Sequence, residues 1–249
     1  MSDIAVKPGF FVTGTDTEVG KTLIAAALIH RLKDHYPVVA GFKPVVAGMN
    51  MIDGVLQNED LMALSRTMNY PHQKDYSDIC PYQLKVPAAP HLVAKQEKIS
   101  LSYEHMIDSF FQLANKVDAV VVEGVGGFKV PFHSSPNGGN DTHFVNSADF
   151  AKEIQLPVIL VVGMRLGCIN HALLTIEAIQ SRGLCLAGWV ANTVGPMQFL
   201  EENIATLQEL ISAPLLGVVP QLSKTLMAVP YSREAIQTAA LHIRLPKEL

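Results

Sequence analysis

No apolar run in this chain is long enough to cross a bilayer. The longest, Leu156-Pro157-Val158-Ile159-Leu160-Val161-Val162, falls far short of the roughly 20 residues a membrane helix requires. Positive charge is scarce too. Lys and Arg number 19 against 23 Asp and Glu, giving a net charge of −4, and no basic block occurs. That excludes a nucleic-acid surface and leaves no amphipathic anchor for a membrane. The N-terminus has no charged-then-apolar signal pattern. Only three cysteines are present, Cys80, Cys168 and Cys185, widely spaced and odd in number. They support neither a disulfide framework nor a cysteine metal site, and they fit a reducing cytoplasm. Repeats, low-complexity stretches and linkers are all missing. What remains is apolar residues in plenty, 49% of the chain against 17% charged, ample for a buried core.

That apolar content is organised. Short β-branched runs alternate with helical segments, the pattern of a parallel sheet covered on both faces. The spacing predicts strands over Phe10–Thr13, Val38–Lys43, Ala119–Glu123, Val158–Gly163, Leu186–Asn192 and Leu215–Pro220. Helices are predicted over Thr22–Lys33, Asn58–Thr67, Ser102–Lys116, Phe144–Glu153, Ile169–Arg182, Gln198–Ile211 and Arg233–Leu241. The fold class is α/β: one three-layer α/β/α domain over residues 1–249, with a mostly parallel central sheet. Two regions break the alternation. Tyr70 to Gln96, with Pro71, Pro81, Pro87 and Pro90, reads as loop with at most a short strand near Ile79. His133 to His143 reads as a loop following the central strand, and both segments either overhang the carboxyl ends of the strands, where ligands of such sheets bind, or are passive surface loops.

The first strand runs into Gly14-Thr15-Asp16-Thr17-Glu18-Val19-Gly20-Lys21-Thr22 and then a helix-forming run. Strand, glycine-containing loop and helix start in that order make a phosphate cradle of the P-loop NTPase kind. Loop N–H groups and the positive helix end face a polyphosphate, Lys21 reaches its outer phosphates, and the Thr22 hydroxyl can ligate Mg²⁺. The strict pattern wants glycine at position 15; here it stands at Gly14. A buried strand then delivers Glu123 to its tip ahead of Gly124-Val125-Gly126-Gly127, where the acid either holds Mg²⁺ or simply ends a strand. Lys43 ends the second strand, either neutralising charge on a transferred phosphoryl group or standing in solvent. Asp60 lies at a helix start, where dipole compensation in the first turn is by itself the better account. Asn170 reads as a helix cap. His133 and His143 flank Asp141, but nothing fixes their spacing for a metal.

The chain resembles the dethiobiotin synthetases. The resemblance is carried by residues 14–22, Gly41-Phe42-Lys43-Pro44-Val45, Pro87-Ala88-Ala89-Pro90-His91 and Val122-Glu123-Gly124-Val125-Gly126-Gly127. It continues through residues 156–163, Leu166-Gly167-Cys168-Ile169-Asn170-His171-Ala172 and Ala187-Gly188-Trp189-Val190-Ala191-Asn192. It spans nearly the whole domain, and the displaced glycine is the family's own form. It implies an ATP-dependent ligase that joins CO₂, or bicarbonate as its source, to diaminopelargonate as a carbamate. The carbamate is phosphorylated and closed to a cyclic urea, releasing phosphate.

By that resemblance Lys21, Lys43 and Thr17 act in catalysis. ATP lies along Thr15, Asp16, Glu18, Val19, Gly20, Lys21 and Thr22, with Asn192 reading the adenine. Mg²⁺ is held by Thr22, Asp60 and Glu123. Substrate meets Thr17, Lys43, Ala47 and Val125, and its acid tail meets the helix start Gly167, Cys168 and Asn170 of a second subunit in a homodimer. Ala47 replaces a hydroxyl residue common in the family, and Val125 a frequent alanine.

Two other readings share the cradle. A partitioning or septum-site ATPase switch carries a lysine early in the loop, where this chain has Asp16. A cobalamin-type amide ligase needs a glutaminase domain for which the chain is too short.

Overall fold

The computed structural model describes residues 7–52, 54–134, 144–226 and 228–247. In chain order the strands are β1 (Gly9–Gly14), β2 (Val39–Phe42), β3 (Val45–Ala47), β4 (Asn50–Ile52), β5 (Val55–Gln57) and β6 (Tyr82–Leu84). They continue as β7 (Ala119–Glu123), β8 (Pro131–Ser134), β9 (Phe144–Asn146), β10 (Val158–Gly163), β11 (Leu186–Asn192) and β12 (Leu215–Val219). The helices are α1 (Lys21–Leu32), α2 (Glu59–Thr67), α3 (Pro90–Glu97), α4 (Tyr103–Ala114), α5 (Ser147–Ile154), α6 (Cys168–Gln180), α7 (Leu200–Leu210) and α8 (Arg233–Leu241). No helix among the described residues is long and apolar enough to cross a membrane.

Six strands form one sheet in the order β12-β11-β10-β1-β7-β2, and every pairing in it is parallel. The apolar runs predict this, because a strand without polar alternation needs cover on both sides. Register assigns the sides. Phe11 is level with Val122 and Val158, and Phe42 with Val122, so these share a face. There Phe11 and Phe42 meet Phe150 of α5, and Phe42 also meets Phe110 of α4. Leu160, Val162, Trp189 and Ala191 extend that face into a second cluster with α6 and α7. The opposite face carries Val12 level with Glu123. It is covered by α1, itself packed on α2 and α8. At Gly41 of β2 any Cβ would press on Ile29 and Leu64 at 3.0 Å, so α1 and α2 can seat there only over glycine.

From β1 the chain winds to β2 and back to β7 on one side, then to β10, β11 and β12 on the other. The winding reverses at β1, and the loop leaving β1 stands where such sheets bind ligands.

Three expectations need correction. The helix predicted from Phe144 begins at Ser147. Phe144–Asn146 is β9, paired antiparallel with β8. Asn146 then caps α5, accepting from the Ala148 N–H at 2.9 Å, while Asp149 accepts from the Asn146 N–H at 3.0 Å; that reciprocal box fixes the start. The Tyr70–Gln96 segment is not only loop. Its strand, β6, lies three residues past Ile79, and it holds the start of α3, whose first residue is Pro90. A proline read as a breaker is a starter, since the first helical position has no N–H to lose. The Gln198 helix starts at Leu200 because Phe199 is left-handed, φ 55°. Asp141, His143 and the side chain of His133 lie outside the described residues.

Candidate active site

The loop from β1 to α1 is held by its own buried valine. Val19 is fully buried, wedged between the ends of β1 and β10. A Cβ at Gly14 would lie 2.5 Å from one Val19 methyl, and one at Gly163 2.8 Å from the other. Close approach of this valine accounts for glycine at 14 in place of 15. Gly20 takes φ 89° and caps α1 without a side chain. Behind it the Asn192 amide, at the end of β11, donates to the Val19 carbonyl at 2.9 Å. The first N–H groups of α1 therefore have no side-chain acceptor and no acid in their turn, the condition for receiving an anion.

Four side chains converge at this helix end. The Thr22 hydroxyl lies 2.8 Å from Asp60 Oδ1 and 2.7 Å from Glu123 Oε1. Lys43 Nζ is 3.1 Å from Asp60 Oδ2 and 2.8 Å from Glu123 Oε1. Each is placed by its element. Glu123 ends β7 on the α1 face, and Lys43 follows β2 one strand over. Asp60 sits in the first turn of α2, whose cap Asn58 accepts from the Asp60 N–H at 2.9 Å.

Lys43 is 4% exposed and Glu123 1%, so their charges interact at low dielectric. Burial pulls the Lys43 ammonium down, but Asp60 and Glu123 more than reverse this and hold it charged. Burial pushes Asp60 up, and Lys43 and the Thr22 hydroxyl bring it below the usual carboxylate range. For Glu123 burial prevails over Lys43 and its pKa is raised. Lys21 is brought down to about 8 by burial, against the pull of Glu123. Its ammonium donates to the Asp16 carbonyl at 2.7 Å.

Glu123 Oε2 is buried and has no hydrogen-bond partner. An orphaned carboxylate oxygen, with Asp60 and a hydroxyl alongside, is a donor set of hard oxygens that fits Mg²⁺. No group of three or more His, Cys, Asp or Glu suited to a metal occurs among the described residues, so a cation here draws on Thr22 and solvent or phosphate oxygens as well.

The cluster opens into a cavity of about 720 Å³. Asp16, Thr17, Glu18, Gly20, Lys21 and Thr22 line one side; Ala47, Pro87–Pro90 and Val125 line the other. The cavity thus brings together both lysines, the three Mg²⁺ candidates and positions 17, 47 and 125, which the resemblance assigns to substrate. Thr15, Val19 and Asn192 stand off the cavity wall: the Thr15 N–H donates to the Val161 carbonyl at 3.0 Å, and the other two brace the loop. Gly167, Cys168 and Asn170 also stand off it. They start α6 without a side-chain cap, Gly167 at φ 91°. The tie between the two regions is an ion pair of Arg165 with Asp16.

One residue of the cavity wall escaped the sequence. Tyr231, between β12 and α8, lines the cavity together with Lys21 and Thr22. Burial, then the charges of Asp60 and Glu123, push its phenol up to about 12. A lone tyrosine in an aperiodic segment carries no signal that would have found it.

The sheet order, the loop after β1 and its lysine define an α/β protein of the P-loop nucleotide-binding class. A family model described as "AAA domain" matches residues 8–228. Among solved structures, a ParA family ATPase from Chlorobium tepidum is similar at TM-score 0.52 and 15% identity, over 95% of this chain and all of that one, a likeness of fold alone. The ATP-dependent dethiobiotin synthetase BioD of Aromatoleum aromaticum is 46% identical over 86% of this chain and 91% of its own. That of a Janthinobacterium species is 45% identical over 88% and 90%. The chain belongs to the dethiobiotin synthetase family.

Proposed function

We propose that the chain, acting as one synthetase domain, converts diaminopelargonate and CO₂ to dethiobiotin at the expense of ATP. The observation that carries this reading is one cavity holding two lysines of different character. Lys21 belongs to the phosphate loop; Lys43 faces both the acid pair and the wall formed by Ala47 and Pro87–Pro90. A carbamate is an anion asked to attack a polyanion, so cations must hold the two together.

Lys43 holds the carbamate and Lys21 the outer phosphates, with Thr17 and Glu18 lining the space between. A carbamate oxygen forms a bond to the γ-phosphorus as the bond to the bridging oxygen breaks, and ADP departs. The second amine then attacks the carbonyl carbon and loses a proton, and phosphate leaves with the C–O electron pair. Thr22, Asp60 and Glu123 would hold Mg²⁺, which would neutralise charge on the polyphosphate. Asn192 keeps the loop in place from behind while its strand end faces the adenine side.

The acid tail of the substrate is received by the start of α6 from a second subunit. Supporting this, that helix start has no side-chain cap, stands off its own cavity, and is preceded by Leu166, 97% exposed. A homodimer working in the cytoplasm follows from this reading. The test is phosphate release from ATP, which should require diaminopelargonate and bicarbonate together. Brisk hydrolysis indifferent to both would instead assign a nucleotide switch.

A further inference from the structure

Tyr231 is the one cavity-lining aromatic, and nothing in the loop motif accounts for it. It is anchored from behind. Ser232 caps α8, accepting from the Ala235 N–H at 3.1 Å, and α8 packs on α1, the helix that carries Thr22. The residue itself sits at φ 51°, a left-handed conformation that costs a bulky side chain and persists where surroundings impose it. The fold thus holds this phenol over the start of α1 as part of the wall.

Its hydrogen bonding is constrained. Thr22 has one hydroxyl proton, and Asp60 and Glu123 already compete for it. With the Thr22 proton engaged there, the phenolic O–H is left for a ligand in the cavity. The group is an O–H in the same cavity wall as Gly20, Lys21 and Thr22, where the loop would gather phosphate. Resting on the nucleotide site described above, we infer that Tyr231 is a phosphate-binding residue that donates its phenolic O–H to the polyphosphate beside Thr22. If the ring only filled space, the hydroxyl would be dispensable.

The variant Tyr231→Phe keeps the ring and deletes that donor. Calorimetric titration with ADP and Mg²⁺ should show Kd raised about tenfold or more, the range of one charge-assisted hydrogen bond. Competition by adenosine, which has no phosphate, should be unchanged. An unaltered or tighter Kd for ADP, or an equal loss for adenosine, overturns the inference. The parallel variant Lys21→Ala separates this failure from failure of the site. If wild type and Lys21→Ala bind ADP alike, the nucleotide site is misplaced and Tyr231 falls with it.

Discussion

Lys43 has two roles that compete for the same atoms. Its ammonium is the counter-charge of Asp60 and Glu123, yet the proposed reaction needs it toward the carbamate. Glu123 is the pivot, since one oxygen serves Lys43 and Thr22 while the other has no partner. Glu123→Gln keeps the shape and removes the charge. It should lower Mg²⁺-dependent turnover by about 10²–10³, the size of losing a preorganised electrostatic group, with the thermal midpoint shifted little because Asp60 still pairs with Lys43. An unfolded variant whose soluble remnant binds ATP normally would make Glu123 structural.

Lys21 gives a pH signature. Its native pKa near 8 lies below the ordinary 10.5, so the folded protein sheds this proton before the unfolded chain does. Stability therefore rises between pH 8 and 10.5, and the burden of the buried ammonium is full below 8. Nucleotide binding runs the other way, because phosphate needs the charged form. Above pH 8 binding must import a proton, and ADP affinity should fall by up to about tenfold per pH unit. Calorimetry in buffers of different ionisation enthalpy would register the uptake; its absence would leave Lys21 out of the phosphate contact.

At the scale of elements, the site is a set of termini. The end of β1, the starts of α1 and α2, and the end of β7 each contribute one or two groups, and short caps set their angles. Asn58 shows how. Its side chain accepts from the Asp60 N–H and donates to the Gly48 carbonyl at 3.1 Å, tying the first turn of α2 to the segment after β3. Asn58→Ala should cost about 1 kcal/mol as a lost cap, and also weaken Mg²⁺-supported ADP binding, because the turn carrying Asp60 loosens. A stability loss with unchanged Mg²⁺ dependence would confine Asn58 to the cap.

Elements of this kind were readable where signal is contiguous. The loop from Gly14 to Thr22, the strand ending in Glu123 and the helix after Asn58 each announce themselves within ten residues. Position α3 was hidden because proline marks a helix start and a helix break alike, and β9 because Phe144-Val145 suits either element. The brace of Asn192 on Val19 and the reach of Tyr231 to Thr22 join residues 173 and 209 positions apart, a relation that only the closed sheet creates.

For the whole molecule, the proposed reaction takes its phosphate side from one chain, while the helix start proposed to receive the acid tail, that of α6, stands off that chain's own cavity. The α6 start has no side-chain cap and follows a leucine standing almost wholly in solvent, a poor state for a monomer surface and a natural one for a two-fold contact. Burying a leucine is worth about 2 kcal/mol, and two-fold symmetry counts it twice. Leu166→Asp should accordingly shift sedimentation from dimer toward monomer. It should leave MgADP binding intact, since the loop, Lys21 and the acid pair all come from one chain. Diaminopelargonate-dependent phosphate release should fall along with the dimer and recover as protein concentration rises. If the variant stays dimeric, or the monomer turns over diaminopelargonate at full rate, the tail is held within a single subunit and the shared site is wrong.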